Sequence, residues 1–389
     1  MNNILRIGLL LAFFYVFSTC SREHENKQIY NQVPEQTADG WTTNSLESVN
    51  MNPEIIGTMM QYIVNGNHKI HSILIVKDGQ LVFEEYFEGY LYSGNPPGSD
   101  GAYIMYTRET DHYLASVSKT VTSVIVGTAI KEGFVENIED KVVHYLPDYD
   151  DILTGDKMDI TLKHLLTMSS GLTWDENSYS YEDPRNNVVQ LFLSDDPIEY
   201  ILSLPLISSP GSEFLYNSGG TNVIGAIIQE CAGMSLLEFG NTFLFDPLNI
   251  EGGVWQSLPG GYLFASGGLF LRPRELAKIG YLFLNNGYWG EHQIISEDWI
   301  EESVNEHIDT YGRTLPLAHA YGYQWWMQDF QVNGQTYASF LAAGWGEQYM
   351  YIFPEEAMIV LFNCGYYLTP VSISPYDLTR DYILNSLMN

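Results

Sequence analysis

Apolar positions fall into three regimes along the chain. Behind Asn52-Pro53, the residues Ile55, Ile56, Met59, Met60 and Ile63 recur at helical spacing up to Gly66, and the Pro-first, Gly-last signature predicts a helix. Two runs of strand length follow, Ser72–Val76 and Leu81–Tyr86. They flank Lys77-Asp78-Gly79-Gln80, where Asp-Gly predicts a hairpin turn. Residues 89–112 are rich in Gly, Pro and Tyr and read as loop. From 116 to about 320 the helical pattern dominates, broken by long loops. Strand patterns return at 323–326, 337–342, 349–353 and 358–363, and a last helix opens at Ser374-Pro375. Strands at both ends with helices between them predict an α+β fold. An antiparallel sheet is built from both chain ends, with flanking helices and a mostly helical insertion over about 116–320.

The N-terminus adds two segments. Arg6 precedes an apolar run from Ile7 to Phe17, too short to span a bilayer and of the length of a signal peptide. It stops at Ser18-Thr19-Cys20-Ser21, which resembles a bacterial lipobox with Cys20 as the lipidated residue. Simple cleavage nearby, giving a soluble secreted protein, is the alternative. Residues 21–50 are polar and predict a tether, so the expected division is 1–20 signal peptide, 21–50 tether and 51–389 one folded domain. With 389 residues and 45% hydrophobic content, a large core is affordable. A net charge of −31 with no block of like charge disfavours nucleic acid and anionic membrane as partners. Contact with a membrane is therefore expected only through an N-terminal lipid anchor. Cys231 and Cys364 sit in apolar surroundings and read as buried free thiols.

The strongest chemical signal is Ser116-Val-Ser-Lys119 at the mouth of an apolar helix. A serine and a lysine three residues apart share one helix face, which sets an amine beside a hydroxyl. Lys119 is the only one of the nine lysines with a serine three residues before it. Taken alone, the segment equally describes a capping serine and a snorkelling lysine. Tyr216-Asn217-Ser218 precedes a second apolar helix, where a tyrosine is a proton carrier or a plain loop anchor. Gly344-Trp345-Gly346-Glu347 leads into the strand at 349–353, and a glycine there admits a ligand or makes an ordinary bulge.

In order and spacing these three clusters resemble the serine β-lactamase and penicillin-binding-protein-like hydrolases. The similarity is to the branch near class C β-lactamases that includes esterases, D-amino-acid peptidases and nylon-oligomer amide hydrolases. It covers about 50 to 389 and includes the segments 160–172, 265–269, 272–278 and 321–326. The resemblance implies Ser116 as nucleophile, Lys119 as general base and Tyr216 as proton relay. It implies the backbone N–H groups of Ser116 and Glu347 as oxyanion hole, and Ser218, Gly344, Trp345 and Gly346 as substrate-binding positions. Two departures stand out. Ser218 replaces the Asn of Tyr-x-Asn, and Gly344 is read at the Lys of Lys-Thr-Gly, a lysine that in β-lactam enzymes helps hold the substrate carboxylate.

The expectation is an exported serine hydrolase that cleaves an ester or amide of a small-molecule or short-peptide acyl substrate, with β-lactam turnover weak. A penicillin-binding-like sensor that acylates with little turnover is the alternative. No cofactor and no metal site is expected. Of the histidines, His164 reads as structural, and no Gly-x-Ser-x-Gly elbow accompanies His112.

Overall fold

A computed structural model of the chain describes residue 30 and residues 32–388, apart from 95, 96, 99, 100 and 252. The leader and Cys20 lie outside the described residues. Among those described, nine strands form one sheet. In chain order they are β1 (Thr42–Thr43), β2 (Ile70–Lys77), β3 (Gln80–Tyr86), β4 (Ile308–Asp309), β5 (Ala320–Tyr321), β6 (Trp326–Val332), β7 (Gln335–Gly344), β8 (Gln348–Phe353) and β9 (Met358–Cys364). They lie side by side as β1-β3-β2-β9-β8-β7-β6-β5-β4. All neighbours are antiparallel except β1, which runs parallel to β3. The chain ends meet where β9 pairs with β2, as expected.

The pattern of β2 explains the layering. Leu74 and Val76 join one core cluster, whereas Ile73 and Ile75 join another on the opposite face. A strand covered on both sides reads as a continuous apolar run without alternation. One face carries α1 (Pro53–Asn65), through Ile56, Met59 and Ile63, and the C-terminal helical turns through Leu378, Ile383 and Leu384. The other carries the helical insertion. Its elements α2 (Val117–Lys131), α3 (Ser218–Ala232) and α4 (Pro273–Leu284) share the first cluster. Helix α2 is buried on every side from Val117 to Ala129, which is why its apolar stripe of Val121, Val124, Ile125 and Ala129 is widened by Val126 and its polar residues there are small apart from Lys119. Asp78 and Gly79 both take positive φ, 52° and 74°, as the β2–β3 hairpin turn demands.

Two expectations change. Residues 32–50 are not a tether. Trp41, Leu46 and Val49 are buried, β1 pairs with β3, and the Trp41 indole N–H donates to the Arg274 carbonyl. The polar stretch misleads because single apolar anchors are enough to dock a segment whose backbone is held elsewhere. The aromatic stretch 323–326 is not a strand either. Gln324 turns the chain with φ 65°, and the strand begins at Trp326. The Gln324 amide donates to the carbonyls of Leu165 and Leu166, while its oxygen accepts from Thr221. Its own backbone carbonyl accepts from Thr120 on α2. One buried glutamine thus ties the two central helices to the edge of the sheet.

Candidate active site

Ser116 is the N-cap of α2, yet its side chain makes no capping hydrogen bond. It follows Ala115, held at φ 46°, a left-handed conformation that is strained for alanine. Ser116 is half-buried, and its hydroxyl accepts from the Lys119 Nζ at 3.0 Å. Lys119 does not snorkel. It is 2% exposed, and Nζ donates a second hydrogen bond to the Ser266 carbonyl at 2.8 Å. Burial brings its pKa down to about 8, against an upward pull from the Glu176 carboxylate. The amine also lies 4.9 Å above the Tyr216 ring. Ser118, the neighbouring serine, is buried and committed. Its hydroxyl donates to the Ala115 carbonyl and accepts from the Leu269 N–H, which braces the strained turn.

Tyr216 stacks on Trp326 and borders Lys119. Burial and then Glu176 push its phenol well above the ordinary value, and the Ser116 side chain offsets this only in part. The resting phenol is therefore protonated. Ser218 follows at the first turn of α3, which is capped by the Asn217 side chain accepting from the Gly220 N–H. Ser218 Oγ donates to Glu176 Oε1, and the Ser218 N–H donates to Oε2, both at 3.0 Å. The Trp174 indole N–H also donates to Oε2. On the next turn, Asn222 donates to the Ser218 carbonyl and to Ser266 Oγ, and accepts from the Ser266 N–H. Asn222 thereby fixes the loop whose carbonyl holds Lys119.

The third cluster requires a correction. A Cβ on Gly344 would lie 2.6 Å from the Leu114 carbonyl oxygen and 3.1 Å from the Ser116 nitrogen. No lysine side chain can start from that position. Gly344 is the point where strand end and nucleophile turn touch. Ala342, two residues earlier on the same strand, is buried and also apolar. Beyond Leu341, β7 has no partner on β6, because that ladder begins at Trp326↔Leu341. There Gly344 faces the Leu114–Ser116 turn instead of a strand. Glu347 stands across the turn with φ 66°, next to Gln348, which pairs back onto Gly344.

Ser116, Ser218, Ser266 and Trp345 line one cavity of about 490 Å³. Its walls are mostly apolar, including Tyr92, Val188, Phe192, Phe264 and Tyr181. Trp345 packs between Tyr181 and Tyr367. Among the described lining residues none is Lys, Arg or His, and Glu182 is the one charged group. Gly346 is set against the Tyr367 ring behind this wall and is not among the lining residues.

The remaining candidates are structural. His164 closes a capping box with Thr161. His112 hydrogen-bonds His71 at 2.9 Å, and burial lowers its pKa to about 4. Cys231 is half-buried and Cys364 buried, both free. Glu176, Asn222 and Ser266 were not singled out from the sequence. The 265–269 segment carried the only signal, and it does not reveal that loops nearly a hundred residues apart meet near Lys119.

Nucleophile turn, buried lysine and strand end are thus assembled at one place on an α+β scaffold. The β-lactamase family model matches residues 66–369, and the chain belongs to that family. Among relatives, it is 27% identical over 232 residues to the 6-aminohexanoate-dimer hydrolase of Paenarthrobacter ureafaciens, covering 55% of this chain and 57% of that one. The chain spans about half or less of the curated relatives it matches. In fold it is similar to a family VIII carboxylesterase (TM-score 0.65, 15% identity, 86% of this chain and 96% of that one). It is also similar to the octameric penicillin-binding protein homologue of Pyrococcus abyssi (TM-score 0.61, 20% identity, 85% and 76%).

Proposed function

We propose that the protein is a serine hydrolase that cleaves an uncharged ester or amide through a Ser116 acyl-enzyme. The observation that carries this is the Ser116–Lys119 pair. The serine hydroxyl is released from capping, and a buried amine with a pKa brought into the working range sits 3.0 Å away. Neutral Lys119 takes the Ser116 proton as Oγ attacks the carbonyl carbon. The Ser116 N–H and one N–H from the end of β7 stabilise the oxyanion. The close approach at Gly344 favours Trp345 for that second donor over Glu347. As the acyl–leaving-group bond breaks, the proton passes through the Tyr216 hydroxyl to the departing atom. Water then adds to the acyl-enzyme and releases the acid and Ser116. The apolar cavity, which has no Lys, Arg or His among its described lining residues, favours neutral acyl groups over β-lactams with their carboxylate. The relationship to the 6-aminohexanoate-dimer hydrolase supports amides as substrates, and likeness to the carboxylesterase supports the fold for esters. Export with Cys20 lipidated belongs to the same proposal on sequence alone, and mass spectrometry of the mature N-terminus tests it.

A panel of p-nitrophenyl esters, a D-amino-acid amide and a chromogenic cephalosporin tests the reading. Ester or amide turnover should exceed cephalosporin turnover by at least ~10-fold, the scale of one missing charge-assisted hydrogen bond. Efficient cephalosporin hydrolysis with poor ester turnover contradicts it, and stoichiometric acylation without turnover identifies a sensor instead.

A further inference from the structure

Ser218 lines the cavity beside Ser116, but its one hydroxyl hydrogen is spent on Glu176. Glu176 is itself buried at 4% exposure, and its two oxygens are divided unequally. Oε2 accepts from the Trp174 indole and from the Ser218 N–H, whereas Oε1 accepts, among the described residues, from Ser218 Oγ alone. A hydroxyl whose hydrogen is committed offers only lone pairs to a third group. Resting on the reading above, we propose that Glu176 is a positioning residue that turns Ser218 into a pure acceptor, so that the site selects acyl substrates carrying an N–H donor beside the reacting carbonyl. An amide side chain at this place, as in Tyr-x-Asn, offers donor and acceptor together. Here the donor half is removed, and substrates that need to receive a hydrogen bond there are disfavoured.

The unequal division sharpens the test. In Glu176→Gln the carbonyl oxygen must take the Oε2 place, because two donors converge there. The amide NH₂ then faces Ser218 Oγ and donates to it. The Ser218 hydrogen is freed towards the cavity, and the residue becomes a donor. The geometry therefore implies an inverted preference and not merely a loss.

The experiment uses the whole protein and two p-nitrophenyl esters with the same acyl chain. One is an N-acylglycine ester with an N–H. The other is the acyloxyacetate ester with oxygen in its place. Each kcat/KM is divided by that ester's hydroxide-catalysed rate. The N–H ester should be preferred about 2- to 10-fold in the wild type relative to Ser218→Ala, the range of one neutral hydrogen bond. Glu176→Gln should carry the preference past that of Ser218→Ala in the opposite sense. If Glu176→Gln fails to fold, the wild-type-to-Ser218→Ala comparison decides alone. Equal selectivity in wild type and Ser218→Ala overturns the inference while leaving the hydrolase reading intact. Failure of the wild type to turn over either ester would instead count against that reading itself.

Discussion

Lys119 shows how much one residue's environment decides. Its first turn of α2 is readable from sequence as either a snorkelling cation or a base. Only the fold separates the two, because the fold surrounds Nζ with Ser116, the Ser266 carbonyl and the Tyr216 ring and leaves Glu176 as the nearby carboxylate that acts on it. The base works when neutral, so kcat/KM for an ester should rise with pH through about 8. Glu176 holds that value up, so Glu176→Gln should move the limb to lower pH. A pH–rate series on both proteins checks this, and a limb that stays in place means that Lys119 does not report on the carboxylate. Lys119→Arg should lose at least ~10²-fold in kcat, since a guanidinium stays protonated.

At the scale of elements, periodicity served where one physical rule dominated. The Asp78-Gly79 hairpin, the Pro53–Gly66 helix and the doubly buried strand β2 follow from turn chemistry, capping and layering, each written locally. The strand end at 342–348 did not. Gly344 and Gly346 stand two residues apart, and only the fold shows that Gly344 is the one that approaches the Ser116 turn. Likewise Gln324 breaks an aromatic run that reads as strand, for the sake of hydrogen bonds to partners more than a hundred residues away. Gly344→Ala tests the close approach. Its Cβ meets the Leu114 backbone, so the Ser116 turn must move. We expect a loss of about 1–3 kcal/mol in stability from overpacking and, from the misplaced hydroxyl, a fall of roughly 10²-fold in kcat/KM. Denaturant melts and ester kinetics read both, and an unchanged variant means that the contact is not tight.

At the scale of the molecule, the active centre is the seam where the helical insertion meets the two-ended sheet. Residues 32–50 belong to that assembly. Trp41 is 1% exposed and packs edge-on against Tyr281 and Trp289, so the segment clamps β3 to α4. This was hidden from the sequence because a lone tryptophan in a polar stretch has no period. Trp41→Ala should cost about 3–5 kcal/mol, as for other buried large-to-small changes, with KM for esters little altered. Urea unfolding gives the answer, and a loss below about 1 kcal/mol would return the segment to the role of a tether.

The central claim is that one serine, freed from capping and paired with a buried amine, carries the chemistry. The most direct measurement is peptide mapping after reaction with a fluorophosphonate probe. The account predicts one label per chain, on Ser116, abolished in Ser116→Ala while the protein stays folded. A label on Ser118 or Ser218, or undiminished labelling of Ser116→Ala, would contradict it.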